Sequence, residues 1–436
     1  MDGKEDFEGT VTKDEVFAIV ERTLSTNDFD LNKFSVKAAS EHPMGFLGSH
    51  AKITATVTTK TGVKELHYFV KKMPTAVPEH LEYAAKTRAF YKEIELYKTL
   101  LQDLKDAQKS KMTKWCPEYY YSRGEELVVT EDLSAEGYYM LPERTLMDED
   151  HIKASLKAVA AMHAGSFVFE EMFNRGEVGT RSPTFKTGRA EGRVTLGEIY
   201  SHLTFETEAS DQPGHPGNTF YEVGIRGQLN IVDLLPGLSQ PRRENIKAKL
   251  PDILRKMMQL VKVSTRYRNV FLHGDLWANN LLFRKEENGE VTALLVDFQL
   301  ARYAPPAHDI MLFLHLVQTD AFRRKHQRAL LDFYYDRLSE ELSRNGLSAE
   351  EILPKKVFLQ SCDDYYDLGL FSSILYFHLI LLPPEITAKW FSSPDLYMKN
   401  MLTDRSEMIV ETFTKDENFK TRMTEAMNDL IERYQL

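Results

Sequence analysis

The segment Val270-Phe271-Leu272-His273-Gly274-Asp275-Leu276-Trp277-Ala278-Asn279-Asn280-Leu281-Leu282-Phe283, with Leu294-Leu295-Val296-Asp297-Phe298-Gln299 after it, decides the reading of this chain. An apolar strand runs into a polar loop, followed by a strand, a turn and a second strand that ends on an aspartate. The turn falls at Glu287-Asn288-Gly289-Glu290, because Asn-Gly is the strongest short signal for a two-residue hairpin. With Asn288 and Gly289 at the tip, counting back along both strands sets Asn280 opposite Asp297. Residues so paired have Cβ atoms about 4.5–5.5 Å apart. An amide oxygen and a carboxylate at that spacing can share a hard cation such as Mg²⁺, which takes oxygen ligands and fills its shell with phosphate oxygens. Asp275, at the loop entrance, is placed to accept a hydroxyl proton beside that metal. An aspartate, an asparagine five residues on and a second aspartate after a hairpin form the catalytic pattern of a phosphotransferase. Any one of the three alone reads as an Asx turn.

Such chemistry also needs a lysine for the nucleotide phosphates and a glutamate to steady it. Alternation along Leu66-His67-Tyr68-Phe69-Val70-Lys71 puts His67, Phe69 and Lys71 on one strand face and turns Lys72 the other way. In Phe90-Tyr91-Lys92-Glu93-Ile94-Glu95-Leu96-Tyr97, the packed helix face is Phe90, Ile94 and Tyr97, which Glu93 flanks. Lys71 and Glu93 are therefore the candidate pair. Gly45-Phe46-Leu47-Gly48-Ser49-His50 lies where a phosphate-covering loop belongs, so Gly45, Gly48 and Ser49 are candidate nucleotide contacts. This run is neither GxGxxG nor a P-loop, and an ordinary hairpin turn reads equally well.

Outward from these motifs, Thr12-Lys13-Asp14-Glu15 is a capping box that starts a helix. Residues 34–72 and Leu127-Val128-Val129-Thr130 are rich in β-branched residues and predict a small antiparallel sheet. Helical spacing predicts helices over about 81–104, 151–169, 242–263, 307–319, 322–344, 349–381 and 405–435, with 172–240 loop-rich. The expected fold is α+β, a two-lobed kinase-like architecture with an antiparallel-sheet N-lobe over 1–132 and a mainly helical C-lobe over 133–436.

Composition agrees with this reading and narrows it. The 436 residues are 42% hydrophobic and 28% charged, a globular profile that excludes disorder and a small disulfide scaffold. Acidic residues number 65 against 55 Lys and Arg, for a net charge of −10, which disfavours nucleic acid and polyanionic partners. Two cysteines, Cys116 and Cys362, build neither a disulfide framework nor a thiolate metal site. The acidic start Met1-Asp2-Gly3-Lys4-Glu5-Asp6 carries no leader pattern, so a cytoplasmic location is expected. Residues 371–382 are apolar, but a membrane span needs about 20 such residues. They read as a buried helix.

The sequence resembles the ecdysteroid kinase-like family, relatives of choline kinases and aminoglycoside phosphotransferases. The resemblance rests on Val70-Lys71-Lys72-Met73-Pro74, Phe90 with Glu93 and Tyr97, Thr130-Glu131-Asp132-Leu133-Ser134-Ala135-Glu136-Gly137-Tyr138, Ala160-Ala161-Met162-His163-Ala164, the His273 to Asn280 loop and Asp297-Phe298-Gln299. It implies ATP bound near Glu131 to Leu133, Asp275 as catalytic base, His273 as a loop-supporting histidine and Mg²⁺ on Asn280 and Asp297. Asp309 would brace the catalytic loop, and His163 would hydrogen-bond within its own helix. Only 11 residues separate Asp297 from His308-Asp309, with no Ala-Pro-Glu motif after them, so a small-molecule hydroxyl acceptor is expected rather than a peptide. The family suggests an ecdysteroid-like acceptor. The alternatives are a choline or aminoglycoside-type phosphotransferase, or a non-catalytic binding protein.

Overall fold

The computed structural model describes residues 9–39, 48–73, 88–108, 113–185, 192–203 and 214–436. Two compact units emerge, one of residues 1–98 and 116–139, the other of 99–115 and 140–436. The sequence reading instead has one cut after residue 132. The division is discontinuous because helix α3 (Leu100–Gln108) packs with α4 (Glu149–Asn174) in the second unit. Their crossing is close: a Cβ at Gly165 would stand 1.9 Å from Gln108 Nε2.

In the first unit, α1 (Lys13–Leu24) begins at the expected box, with the Glu15 amide donating to Thr12 Oγ1 at 3.2 Å and the Thr12 amide to Glu15 Oε2 at 2.7 Å. Strands β1 (Asp30–Ala38), β2 (Ser49–Thr59), β3 (Gly62–Lys72), β4 (Tyr119–Arg123) and β5 (Leu127–Glu131) form an antiparallel sheet in the order β1-β2-β3-β5-β4. Val16, Ile19 and Val20 of α1 pack with Ile53, Val57, Tyr68, Val70 and Val129 in one core cluster. Period-two alternation then turns Lys71 to the opposite face. There it meets α2 (Ala89–Lys98).

The single helix expected over 81–104 is two, α2 and α3, and the boundary between the units falls at their break. Part of its predicted range, 81–87, lies outside the described residues.

The second unit is mainly helical. The loop-rich expectation for 172–240 is overturned by α5 (Pro216–Leu234), which starts on Pro216 at its first turn with His215 as N-cap. Two of its glycines permit close helix approach. A Cβ at Gly224 would stand 3.2 Å from His378 Cε1, and one at Gly227 would stand 2.3 Å from Ile409 Cδ1. The stretch 349–381 is three helices, Ala349–Ile352, Lys355–Asp364 and Tyr366–Ile380, the first of them stopping before Pro354, which has no amide hydrogen to continue it. The stretch 405–435 divides into Ser406–Lys415 and Glu417–Arg433.

Short strands carry the central loop. Strand β6 (Val270–Leu272) pairs with β9 (Arg302–Ala304), and β7 (Leu281–Lys285) with β8 (Val291–Leu295). Helix α6 (Ala307–Val317) follows, then α7 (Asp320–Arg344) and, among the helices already named, α8 (Tyr366–Ile380). The Ser166 hydroxyl of α4 accepts the Phe271 amide at 2.9 Å, which anchors β6.

The hairpin register differs by one from the sequence count. Leu281 pairs with Leu295 and Lys285 with Val291, and the Val296 amide donates to the Asn280 carbonyl. Asn280 therefore stands opposite Val296, not Asp297. The cause lies at the tip, where the loop has three residues: the Glu286 amide donates to the Glu290 carbonyl, the Gly289 amide returns to the Glu286 carbonyl, and Gly289 is left-handed at φ 86°. A turn followed by a left-handed glycine is the standard three-residue hairpin.

Candidate active site

The candidate residues of the first unit lie on the sheet and on α2. Lys71 Nζ meets Glu93 Oε2 at 2.7 Å, with side chains 9% and 2% exposed. Gly48 immediately precedes β2, and a Cβ there would press on Lys71 Cε and His50 Nε2, each at 3.3 Å. Ser49 opens β2 opposite Lys72. Gly45 lies outside the described residues. Glu131 closes β5, and its carboxylate accepts the Glu118 amide at 3.1 Å. Leu133 is buried and begins a short turn of 3₁₀ helix capped by Asp132, which also pairs with Lys52 at 3.2 Å.

In the second unit, β6 delivers His273, Gly274 and Asp275 in succession, and their conformation is held from three sides. Both carboxylate oxygens of Asp309 on α6 are engaged, accepting the amides of His273 at 2.8 Å and Gly274 at 2.9 Å. The Asp275 amide donates to His273 Nδ1 at 3.3 Å, so Nε2 carries the ring hydrogen and gives it to the Val296 carbonyl at 2.8 Å. Gly274 turns at φ 77°, and a Cβ there would lie 2.2 Å from the Leu300 carbonyl oxygen. This position admits glycine alone.

His163 corrects the sequence reading. It leaves its own helix to donate to Asp309 Oδ2 at 3.2 Å, and its other nitrogen meets the Tyr334 hydroxyl at 2.8 Å. These three buried residues belong to α4, α6 and α7, far apart in sequence, so no local pattern joins them. The hydrogen bond from His163, with His308 adding to it, holds the Asp309 carboxyl well below the usual carboxylate range in spite of its burial.

Asn280 Nδ2 donates to the Asp275 carbonyl at 2.8 Å and to its carboxylate at 2.9 Å. Asp275 is partly exposed, yet packed deeply enough that burial pushes its carboxyl up to about 6, with the Asp297 charge adding to the rise and His273 and Asn280 opposing it. Asp297 takes a left-handed conformation at φ 65° just past β8. That turn, rather than pairing across the hairpin, sets its side chain within electrostatic reach of Asp275.

The residues suit a Mg²⁺ ion. The Asn280 nitrogen is spent on Asp275, which leaves its oxygen to coordinate, and Asp297 adds an anionic oxygen. Among the described residues no group of three or more His, Cys, Asp or Glu could enclose a metal. An open set of one amide and one carboxylate matches an ion that completes its shell with water and phosphate.

A small antiparallel sheet unit and a larger helical unit that carries this loop make up a kinase-like fold. The chain belongs to the ecdysteroid kinase-like family, whose model matches residues 45–347. No curated protein matches it. Similar solved structures include an ethanolamine kinase of Plasmodium vivax (11% identity, 98% of this chain and 86% of that one, TM-score 0.41). A microcompartment-associated aminopropanol kinase (12%, 96% and 97%, 0.40) and aminoglycoside 2'-phosphotransferase-IIIa in its GDP complex (11%, 96% and 100%, 0.39) are others. Among the described residues no single helix is long and apolar enough to cross a membrane.

Proposed function

We propose that the chain transfers the γ-phosphoryl group of ATP to a hydroxyl of a small molecule. The observation that carries this is the Asp275 carboxylate, raised toward neutral pH, gripped by Asn280 and close to Asp297. Asp275 takes the proton from the acceptor hydroxyl, whose oxygen bonds to the γ-phosphorus as the bond to ADP breaks. Asn280 orients that carboxylate, and Asp309 fixes the backbone that presents it. Lys71, steadied by Glu93, binds phosphate oxygens of the nucleotide, with Gly48, Ser49, Glu131 and Leu133 as further contacts. Mg²⁺ held by Asn280 and Asp297 would neutralise charge on the phosphates.

A choline or aminoglycoside-type phosphotransferase is placed first, ahead of the ecdysteroid-like acceptor. A cytoplasmic location belongs to the same proposal, resting on the presence of only two cysteines, Cys116 and Cys362, in 436 residues. The test is ATP consumption by wild type and Asp275→Asn across choline, ethanolamine, aminoglycosides, steroids and plant phenolics. Asp275-dependent phosphorylation of one class supports the reading. Binding of Mg²⁺ and ATP with no such turnover makes this a binding protein instead.

A further inference from the structure

Arg302 opens β9, opposite Leu272 and against the turn at Gly274, where a Cβ would meet its Cγ at 3.3 Å. It is 3% exposed, and its Nη1 is sealed from solvent without a hydrogen-bond partner. No carboxylate among the described residues pairs with it. The ionisable neighbour that feels it on α6 is His308, itself buried with neither ring nitrogen hydrogen-bonded and 3.8 Å from Asp309, and burial keeps it neutral. On α8, the field of Arg302 reaches the Tyr376 phenol, which the Asp275 charge also reaches. The Tyr376 and Tyr221 hydroxyls meet at 2.8 Å, so one of the two keeps a hydrogen to give outward.

A permanently charged guanidinium buried without a counter-ion destabilises a fold, and such groups are normally paired. Its planar fork matches the oxygens of phosphate, sulfate or carboxylate. We propose that Arg302, with the Tyr221 and Tyr376 hydroxyl pair, forms an oxyanion subsite on the side of Asp275 lined by α8. The oxyanion comes either from an acidic group carried by the acceptor or from the phosphoryl group placed on it, so the catalytic role of the subsite rests on the proposed function, whereas oxyanion binding does not.

Sulfate, which cannot be transferred, is titrated by calorimetry against the full chain as wild type, Arg302→Lys, Arg302→Met, Tyr376→Phe and Lys71→Ala. The expected result is at least ten-fold weaker binding in both Arg302 variants and several-fold weaker binding in Tyr376→Phe, with any sulfate site that Lys71→Ala removes resolved as a separate one. Arg302→Met also removes the unpaired charge and raises the melting temperature. Equal sulfate affinity in wild type and the Arg302 variants overturns the subsite. A lower melting temperature for Arg302→Met with unchanged sulfate affinity assigns the residue a structural role and also overturns it.

Acceptor pairs matched with and without an acidic group separate the two sources. A KM rise in Arg302→Lys confined to the acidic member assigns the oxyanion to the acceptor, and a fall in kcat for both members assigns it to the transferred phosphoryl group. Absence of turnover in every protein defeats the proposed function and leaves the sulfate result to judge the subsite alone.

Discussion

Asn280 holds the Asp275 carboxylate through its side-chain amide at 2.9 Å. The contact spans the loop between β6 and β7 and favours the ionised form of a carboxylate that burial drives the other way. Asn280→Ala removes this support, so the acid limb of the pH–rate profile should move to higher pH and kcat should fall at least ten-fold. Steady-state kinetics between pH 5 and 8 checks both.

The raised carboxyl of Asp275 has a stability consequence whose sign is fixed. Its folded value of about 6 lies above the unfolded value of about 3.9, so between those pH values the folded state binds more protons and stability falls as pH rises. Above pH 6 the ionised group costs the free protein on the order of 2–3 kcal/mol. Asp275→Asn should therefore raise the melting temperature at pH 7 more than at pH 4 while lowering kcat by about 100-fold or more. Calorimetry at the two pH values tests the pairing of lost activity with gained stability.

The Lys71–Glu93 pair is buried on both sides, so breaking it leaves one uncompensated charge. Lys71→Met or Glu93→Leu alone should cost about 3 kcal/mol, and the double variant should recover much of that loss, because removing both charges also removes their desolvation. Urea denaturation of the four proteins in a double-mutant cycle measures the coupling. ATP affinity should fall in every variant, including the recovered one.

Asp309 accepts the backbone amides of His273 and Gly274, and all three residues are buried. Asp309→Ala should destabilise by about 3 kcal/mol or more through buried unpaired donors and reduce kcat through a misplaced Asp275. Asp309→Asn, which keeps one acceptor, should lie between. Because this carboxyl is held well below its usual range, its contribution is complete at neutral pH and is lost as pH falls below the unfolded value of about 3.9.

Gly274→Ala sets a Cβ against the Leu300 carbonyl oxygen at a left-handed turn. Both backbone segments are tied into the β6 and β9 pairing, so relief requires opening it. Expression with loss of activity and a melting temperature lower by several degrees is the expected outcome, read by circular dichroism.

The meeting of Lys71 with Glu93 was legible because strand alternation and a helix face are local signals. Helix α5 was not, because the contacts of Gly224 with His378 and of Gly227 with Ile409 join segments far apart in the chain. The hairpin count missed by one because Asn-Gly serves two loop lengths equally well, and the strand pairing on either side selects between them. Arg302 gave no signal, since nothing in its neighbouring residues marks a guanidinium for burial, which packing alone decides.

By itself the sequence determined the capped first helix, the strand-rich sheet and the Lys71–Glu93 pair, because these follow from short-range periodicity and from neighbouring residues. Tertiary structure alone decided the His163–Asp309–Tyr334 buttress, the turn that brings Asp297 toward Asp275, and the burial that raises the Asp275 carboxyl. Desolvation and hydrogen bonding between distant segments depend on which surfaces meet, and that is a property of the packed chain rather than of any stretch within it.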